Sequence, residues 1–329
     1  MNDQSYYTNK RILITGGTGY IGLSIVQALR NISCEITLTT RSSTQRSVLE
    51  HTKAKIKYLR ADITEPSFWQ NCAPNTDIIF HLAGQTSSSY ANERPFEDVT
   101  VNVLPVIHLI EYSKKCQKKP DVIFAGTSTQ IGFTESPKHK ENENDLPITV
   151  YDINKLTAEN YFRYYANQLD GKAVSLRLTN VYGPGPKSSK QDRGIVNLMV
   201  QRALTKKPLT IYGDGKYIRD YVYIDDVVAA FLLAGMHIDQ LTGNYYLIGS
   251  GIGYTIFDMM KMIQKKVKAI QSLTVAIEKI PVPKKISQIE KRNFIADSTL
   301  FKTLTKWKVE TSLEQGIIKT IEYYQRAII

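Results

Sequence analysis

A glycine-rich turn near the start of the chain constrains the fold more than any other feature. Arg11–Thr15 (Arg-Ile-Leu-Ile-Thr) predicts a buried strand, and it runs directly into Gly16-Gly-Thr-Gly19-Tyr-Ile-Gly22, which opens a predicted helix over residues 20–31. A strand, a GxxGxxG turn and a helix in this order are typical of the first βα unit of a dinucleotide-binding fold. Gly16 permits the tight turn, Gly19 lets the backbone approach a pyrophosphate, and Gly22 allows the helix to pack closely on the strand. The alternative is a glycine-rich turn that holds no ligand.

Short β-branched segments alternate with helical segments through the first half of the chain. After the first strand, the predicted strands cover residues 35–39, 56–59, 77–82, 122–125 and 173–177. Strands separated by helices imply right-handed crossovers and a parallel sheet that carries helices on both faces. The predicted fold class is therefore α/β, with a doubly wound parallel (Rossmann) sheet.

The regular alternation of strand and helix segments stops in the second half of the chain, which predicts a second, smaller unit. A turn cluster at residues 182–187 is followed by a polar stretch over 187–193, and a predicted helix at 224–234 and strand at 245–248 then return to the earlier pattern. We therefore assign residues 1–178 and 222–249 to the dinucleotide-binding domain. Residues 179–221 and 250–329 form a predicted discontinuous α+β lobe over the substrate.

The charge balance leaves several classes of partner open. The net charge is +11, and residues 258–308 carry twelve lysines and arginines against four acidic residues. The simpler interpretation is the solvated surface of the small lobe, and the alternative is a dedicated polyanion surface. The sequence has no nucleic-acid-binding motif, and no apolar run reaches the roughly 18–20 residues of a membrane-spanning helix. Three widely spaced cysteines, no metal-ligand spacing and a polar start lead us to expect a cytoplasmic protein without a bound metal.

The residues after the second predicted strand bear on which dinucleotide is bound. An acidic residue that would hold a ribose 2′-hydroxyl is expected there, but the sequence reads Thr39-Thr40-Arg41-Ser42-Ser43. A guanidinium with hydroxyls beside it suits a 2′-phosphate, so NADP(H) is favoured and NAD(H) is possible. In the alternative, Arg41 is a surface residue and Thr40 serves the ribose. Asp62, after the third strand, is predicted to accept from the adenine amino group, with helix capping as the alternative.

A tyrosine and a lysine lie four residues apart in Tyr151-Asp-Ile-Asn-Lys155. On a helix this spacing places the phenol and the ammonium on one face. A neighbouring positive charge favours the phenolate, so the pair can exchange a proton with an alcohol or ketone while hydride is transferred at the same carbon. The pair alone is a weak signal because it occurs by chance.

Together with the glycine turn, these residues resemble the extended short-chain dehydrogenase/reductase family, the NAD(P)-dependent nucleotide-sugar epimerases, dehydratases and reductases. The resemblance covers nearly the whole chain. Its further motifs are residues 81–85 (His-Leu-Ala-Gly-Gln), 124–132, 178–185, 213–215 (Gly-Asp-Gly) and 219–226 (Arg-Asp-Tyr-Val-Tyr-Ile-Asp-Asp).

The resemblance implies roles for particular residues. Thr127 matches the catalytic Ser/Thr, and Lys155 would also hold the nicotinamide ribose. Substrate contacts are expected from Ser128, Asn180, Asn197 and Arg219, with Arg219 on the diphosphate. An internal salt bridge of Arg219 with Asp220 or Asp225 is the alternative. The expected cofactor contacts are Gly16, Gly19, Tyr20, Ile21, Gly22, Arg41, Ser42, Asp62, Ile63, Leu82, Ala83 and Lys155.

Departures from the family pattern narrow the expected chemistry. Related 4,6-dehydratases carry Asp-Glu after the catalytic threonine and related decarboxylases keep a Glu at the second of these positions, whereas this chain has Ser128-Thr129. Hydroxyls do not titrate usefully near neutral pH, so both activities are disfavoured. Gly84 and Ile131 also depart from the usual Ala and Tyr, and the sequence offers no mechanistic account of either.

The remaining expectation is hydride transfer at the hexose C4 of a nucleoside-diphosphate sugar. Because Arg41 favours NADPH, the first expectation is reduction of a 4-keto sugar, and the alternative is a 4-epimerase of the UDP-glucose or UDP-GlcNAc type. A homodimer without nucleic-acid or membrane partners is expected. The non-enzymatic alternative is a polyanion-binding protein of the same fold.

Overall fold

A computed structural model describes residues 4–41, 52–72, 76–185, 194–282 and 288–328. Its strands are β1 (Arg11–Thr15), β2 (Glu35–Thr40), β3 (Lys55–Arg60), β4 (Ile78–His81), β5 (Asp121–Thr127), β6 (Lys138–His139), β7 (Lys172–Leu178), β8 (Asn180–Tyr182), β9 (Leu209–Tyr212), β10 (Ile218–Tyr223), β11 (Tyr245–Ile248), β12 (Gly253–Thr255), β13 (Ile277–Ile280) and β14 (Ile295–Ala296). Its helices are α1 (Tyr20–Leu29), α2 (Pro66–Cys72), α3 (Ser88–Glu93), α4 (Pro95–Asn102), α5 (Leu104–Ser113), α6 (Val150–Gln168), α7 (Ile195–Leu204), α8 (Ile224–Met236), α9 (Ile238–Leu241), α10 (Ile256–Gln271), α11 (Thr299–Thr305) and α12 (Leu313–Ile328).

Seven strands form one parallel sheet in the order β11-β7-β5-β4-β1-β2-β3. The prediction of a parallel α/β sheet is confirmed, and each predicted strand is present within one or two residues of its expected bounds. The strand order reverses between β1 and β4, and ligands of open α/β sheets bind at the carboxyl ends of the strands at such a reversal. The fold therefore places the binding crevice where β1 and β4 end.

Apolar side chains cover both faces of the sheet because neighbouring residues of a strand point to opposite sides. Ile12 and Ile14 of β1 belong to the core cluster that includes buried residues of α1 and α8, whereas Leu13 belongs to the cluster with those of α2, α5 and α6. Strands that are apolar on both faces are expected for a sheet covered by helices on both sides.

Three smaller sheets lie outside the parallel sheet. β8, β10 and β12 form one of them, β9 pairs with β13, and β6 pairs with β14. α8 and β11 return to the large sheet, as the sequence pattern predicts. The residue boundaries assigned to the two units stay a prediction. Within the described ranges, no helix combines the length and the apolar character required to cross a membrane.

Candidate active site

The glycine turn has the geometry of a dinucleotide cradle. Gly16 has a φ of +65°, and a Cβ there would come within 2.9 Å of the Ala83 backbone. A Cβ on Gly22 would lie 2.8 Å from the Gly16 carbonyl oxygen, so glycine is required for the helix to start this close to the strand. Among the residues that the structure describes, no side chain caps α1 at Gly19. The N–H groups of its first turn are thus suited to an anion, and the residues present fit a dinucleotide pyrophosphate.

The segment after β4 is tied to the end of β1. The Thr15 hydroxyl accepts hydrogen bonds from the N–H groups of Leu82 and Ala83 at 3.1 and 3.2 Å and lies 3.0 Å from Nδ1 of His81. Both of these predicted cofactor residues therefore line the crevice. Burial lowers the pKa of His81 to about 3, with a contribution from the positive charge of Lys155. The neutral ring stacks on Phe124 in the core, which makes it a packing group.

The predicted 2′-phosphate site lies at the end of β2. Thr39 accepts from the Gly16 N–H at 3.0 Å, and the Thr18 hydroxyl donates to Thr40. Arg41 follows as an exposed residue, while Ser42 lies outside the described residues. Arg41 thus directly follows two threonines whose hydroxyls contact the glycine turn, and its own contact with a phosphate stays a prediction.

Asp62 and Ile63 have local structural partners. Asp62 Oδ1 accepts from the N–H and the hydroxyl of Thr64, at 2.9 and 2.8 Å, in the turn before α2. Ile63 is buried, and its carbonyl oxygen accepts from the Trp69 indole at 3.0 Å. Asp62 thus stabilises a turn rather than capping α2, which begins at Pro66, and its adenine contact stays a prediction.

The tyrosine and the lysine lie at the start of α6. Thr149 and Asp152 form a capping box that begins this helix, so the first turn is held firmly. Tyr151 and Lys155 are 8% and 6% exposed, and Lys155 Nζ lies 4.0 Å from the ring centre of Phe124 on β5. Burial lowers the pKa of Lys155 to about 7, and the charges of Asp98 and Glu159 oppose that shift.

Thr127 ends β5, the strand on which Lys155 packs. Its hydroxyl lies 2.9 Å from the Thr129 hydroxyl, and its N–H donates to Gln130 Oε1 at 2.9 Å. Gln130 in turn donates to Glu159 of α6 at 3.1 Å. The structure thus links the predicted catalytic threonine to the helix of Tyr151. Ser128, a predicted substrate contact, is 1% exposed and lies in the interior.

The two asparagines predicted to contact the substrate form hydrogen bonds with neighbouring backbone groups. Asn180 donates to the Asp220 carbonyl oxygen at 3.0 Å, and Asn197 accepts from the Gly183 N–H at 3.0 Å. Tyr20, a predicted cofactor contact, places its ring where a Cβ on Gly185 would fall. Its side chain therefore packs against the turn at Gly185, and its contact with a cofactor stays a prediction.

Arg219 is buried and has a partner that the sequence did not indicate. Its guanidinium donates to the carbonyl oxygens of Glu290 and Arg292 and lies 3.5 Å from the Glu290 carboxylate. The alternative of an internal ion pair was right in kind but wrong in partner. Asp220 instead accepts from Ser250, Gly251 and Ala296 N–H groups. Glu290 lies 71 residues away in the chain, so no local motif could reveal it.

Two departures from the family pattern have structural explanations. A Cβ at Gly84 would come within 2.5 Å of Asn102 Oδ1, so an alanine would require this buried amide to move. Ile131 is completely buried and packs with Leu247, Phe294 and Ala296. Among the described residues, no group of three or more His, Cys, Asp or Glu side chains is arranged to hold a metal ion.

The fold and the site together define an extended short-chain dehydrogenase/reductase. It has a dinucleotide cradle after β1 and a buried Tyr–Lys pair on α6. The chain belongs to the NAD-dependent epimerase/dehydratase family, whose model matches residues 12–249.

Named relatives span nearly the whole chain. It is 26% identical to a UDP-glucose 4-epimerase of Mycolicibacterium smegmatis, over 96% of this chain and 98% of the relative. It is also 26% identical to UDP-glucuronic acid decarboxylase 2 of Arabidopsis thaliana, over 97% of this chain and 69% of the relative. A Thermotoga maritima UDP-glucose 4-epimerase structure with UDP-glucose matches with a TM-score of 0.83 and 28% identity, over 97% and 100% of the two chains. Because a decarboxylase is among these relatives, they do not support the sequence argument against decarboxylation.

Proposed function

We propose that this chain exchanges hydride at C4 of a nucleoside-diphosphate sugar and that the reaction is 4-epimerisation. The buried pair of Tyr151 and Lys155, set beside Thr127 at the carboxyl edge of the sheet, carries the proposal. Relatives named as UDP-glucose 4-epimerases support this reaction among those of the family.

The side chains present can perform the proton part of this chemistry. When bound, a nicotinamide dinucleotide supplies the hydride acceptor and donor. The Tyr151 oxygen would take the proton of the sugar 4-hydroxyl and later return it. A positive charge on Lys155 stabilises the phenolate, and the Thr127 hydroxyl would hydrogen-bond the reacting oxygen.

We further propose that Arg219 binds the diphosphate of the substrate, with Asn180 and Asn197 beside it. A diphosphate would compete with the Glu290 carboxylate for the guanidinium, because both are anions that accept its N–H groups. The substrate would then replace an ion pair that the protein already contains. A homodimer is part of the proposal, and the exposed apolar side chains Phe96 of α4 and Ile153 of α6 offer a face for it.

A product assay tests the proposed reaction. Purified protein would be incubated with UDP-glucose, UDP-N-acetylglucosamine and UDP-glucuronic acid, and the sugars would be identified by NMR. We expect one of them to reach equilibrium with its 4-epimer without consumption of added cofactor. Release of carbon dioxide from UDP-glucuronic acid, or conversion of none of the three, would contradict 4-epimerisation.

Reduction of a 4-keto sugar is the second candidate. The exposed Arg41 after β2 favours it, because a guanidinium suits the 2′-phosphate of NADPH and NADPH is the cofactor of a reduction. Replacing Arg41 with Ala should lower NADP(H) affinity about tenfold or more through loss of a charge-assisted contact, with little change for NAD(H). Fluorescence titration measures both affinities. Arg30→Ala is the matched control, because Arg30 is an exposed arginine at the opposite end of α1. Equal weakening of both dinucleotides, or of neither, would remove the case for NADPH.

A further inference from the structure

A buried carboxylate lies close enough to Lys155 to act on its charge. Asp98 of α4 is 0% exposed and accepts three hydrogen bonds, all from side-chain amides. Gln85 and Asn102 donate to its Oδ1 at 2.8 and 3.1 Å, and Asn154 donates to its Oδ2 at 2.7 Å. Amide donors on both oxygens stabilise a negative charge at this position.

The amide cluster is built from three separate parts of the chain that meet at the candidate site. Gln85 lies in the loop after β4, Asp98 and Asn102 lie on α4, and Asn154 lies on α6 directly before Lys155. The absence of a side chain at Gly84 leaves the room that Asn102 occupies. One of the three donors, Asn154, thus ties the carboxylate of α4 to the helix that presents Tyr151 and Lys155.

The groups that face Lys155 are two neutral rings and two carboxylates, and only the carboxylates carry a charge opposite to that of the ammonium. Phe124 and the neutral His81 ring face it from the sheet, Glu159 from its own helix, and Asp98 from α4. Glu159 is already paired with Arg177, at 2.6 Å, and with Arg163, at 3.7 Å.

Asp98 differs from Glu159 in this respect. Among the described residues, its side-chain hydrogen-bond donors are uncharged amides, and it forms no salt bridge. Of the two described carboxylates whose charges raise the pKa of Lys155, Asp98 is therefore the one that no cationic side chain of the described residues already pairs.

We propose that Asp98 is a positioning residue that keeps Lys155 positively charged in its apolar site, and so maintains the proton exchange at Tyr151. This inference rests on the proposed function for the role of Tyr151, whereas the effect of Asp98 on the charge of Lys155 is independent of the substrate.

The direction of the effect follows from the charges. Burial already lowers the pKa of Lys155 to about 7, and Asp98 opposes that shift. Removing its negative charge lowers the pKa of Lys155 further, because a lost opposite charge disfavours the ammonium. At pH 7, where a pKa of about 7 leaves about half of the lysine charged, the further decrease would leave it mainly neutral and less able to stabilise a phenolate.

Asp98→Asn tests the proposal because the new side chain has nearly the same shape as the old one. Asn154 can rotate its amide so that its oxygen accepts a hydrogen bond from the NH₂ group introduced at position 98. We expect kcat at pH 8 to fall about tenfold, and the alkaline limit of the kcat profile to move down by about one pH unit, with little change in KM. Glu97→Gln is the matched control, because it removes an exposed carboxylate of the same helix that pairs with Arg94. This control should retain the wild-type profile.

Direct titration of the lysine separates this inference from the proposed function. In protein labelled with carbon-13 at the lysine ε-position, the Lys155 signal is assigned by its loss in Lys155→Met. Its titration midpoint should move down by about one unit in Asp98→Asn, whatever the substrate. An unchanged midpoint would overturn the inference even if the enzyme is an epimerase, and Asp98→Ser repeats the measurement if the first variant does not fold. A shifted midpoint in a protein without sugar turnover would instead contradict the proposed function alone.

Discussion

A Tyr151→Phe variant should lose turnover by about 10²–10⁴-fold while it keeps its fold and its dinucleotide affinity. The substitution deletes the oxygen that would exchange the proton and leaves the aromatic ring. Because Tyr151 is almost completely buried at the start of α6, retention of the ring preserves most of its packing. The measurement is kcat for the sugar that the wild-type protein converts, with circular dichroism and cofactor titration to verify folding and binding.

Two further variants make the Tyr151 result specific. Tyr161→Phe removes a hydroxyl from the exposed side of the same helix and should leave kcat unchanged. Thr127→Val should have a smaller effect than Tyr151→Phe, because its hydroxyl orients the reacting oxygen without titrating. Wild-type turnover in Tyr151→Phe would place the proton donor elsewhere. A protein with no turnover that binds nucleic acid would revive the polyanion-binding alternative.

The parts of the fold that could be predicted from the sequence are those encoded locally. The strand of Arg11–Thr15, the glycine turn and the start of α1 are neighbours in the chain, so one segment carries the whole signal. The predicted helix over residues 20–31 ends at Leu29, two residues early, because local patterns do not determine where a helix ends.

The residue contacts that could not be predicted join distant segments. Asp98 and Asn154 are 56 residues apart, and nothing in the sequence around either residue indicates the other. The same holds for Arg219 and Glu290: the sequence predicted a diphosphate contact for Arg219, and its alternative named the nearby Asp220 or Asp225. Ion-pair partners depend on how the helices and lobes pack, and packing is a property of the whole chain.

Arg177 is the strongest example of a buried interaction without a local signal. It lies in β7 with 0% exposure, where the sequence predicts only a strand. Its guanidinium contacts Asp145 at 2.5 and 2.8 Å and Glu159 at 2.6 and 3.0 Å. It also lies over the ring of Tyr245. Since Glu159 accepts from Gln130, and Gln130 from the Thr127 N–H, this arginine supports the end of β5 at the candidate site.

Arg177→Met should lower the free energy of unfolding by about 3–5 kcal/mol, because it leaves Glu159 buried with an uncompensated charge. Urea denaturation of wild type and variant measures the difference.

Arg163→Met is the matched control for Arg177→Met. Arg163 is a half-exposed arginine that lies 3.7 Å from the same Glu159 carboxylate, and a solvent-exposed pair contributes about 0–1 kcal/mol. If both variants lost the same small amount of stability, burial of Arg177 would not be what makes its ion pairs important. A large loss confined to Arg177→Met would show that the buried guanidinium stabilises α6 against β7. The helix that carries Tyr151 and Lys155 would then depend on this buried arginine of β7.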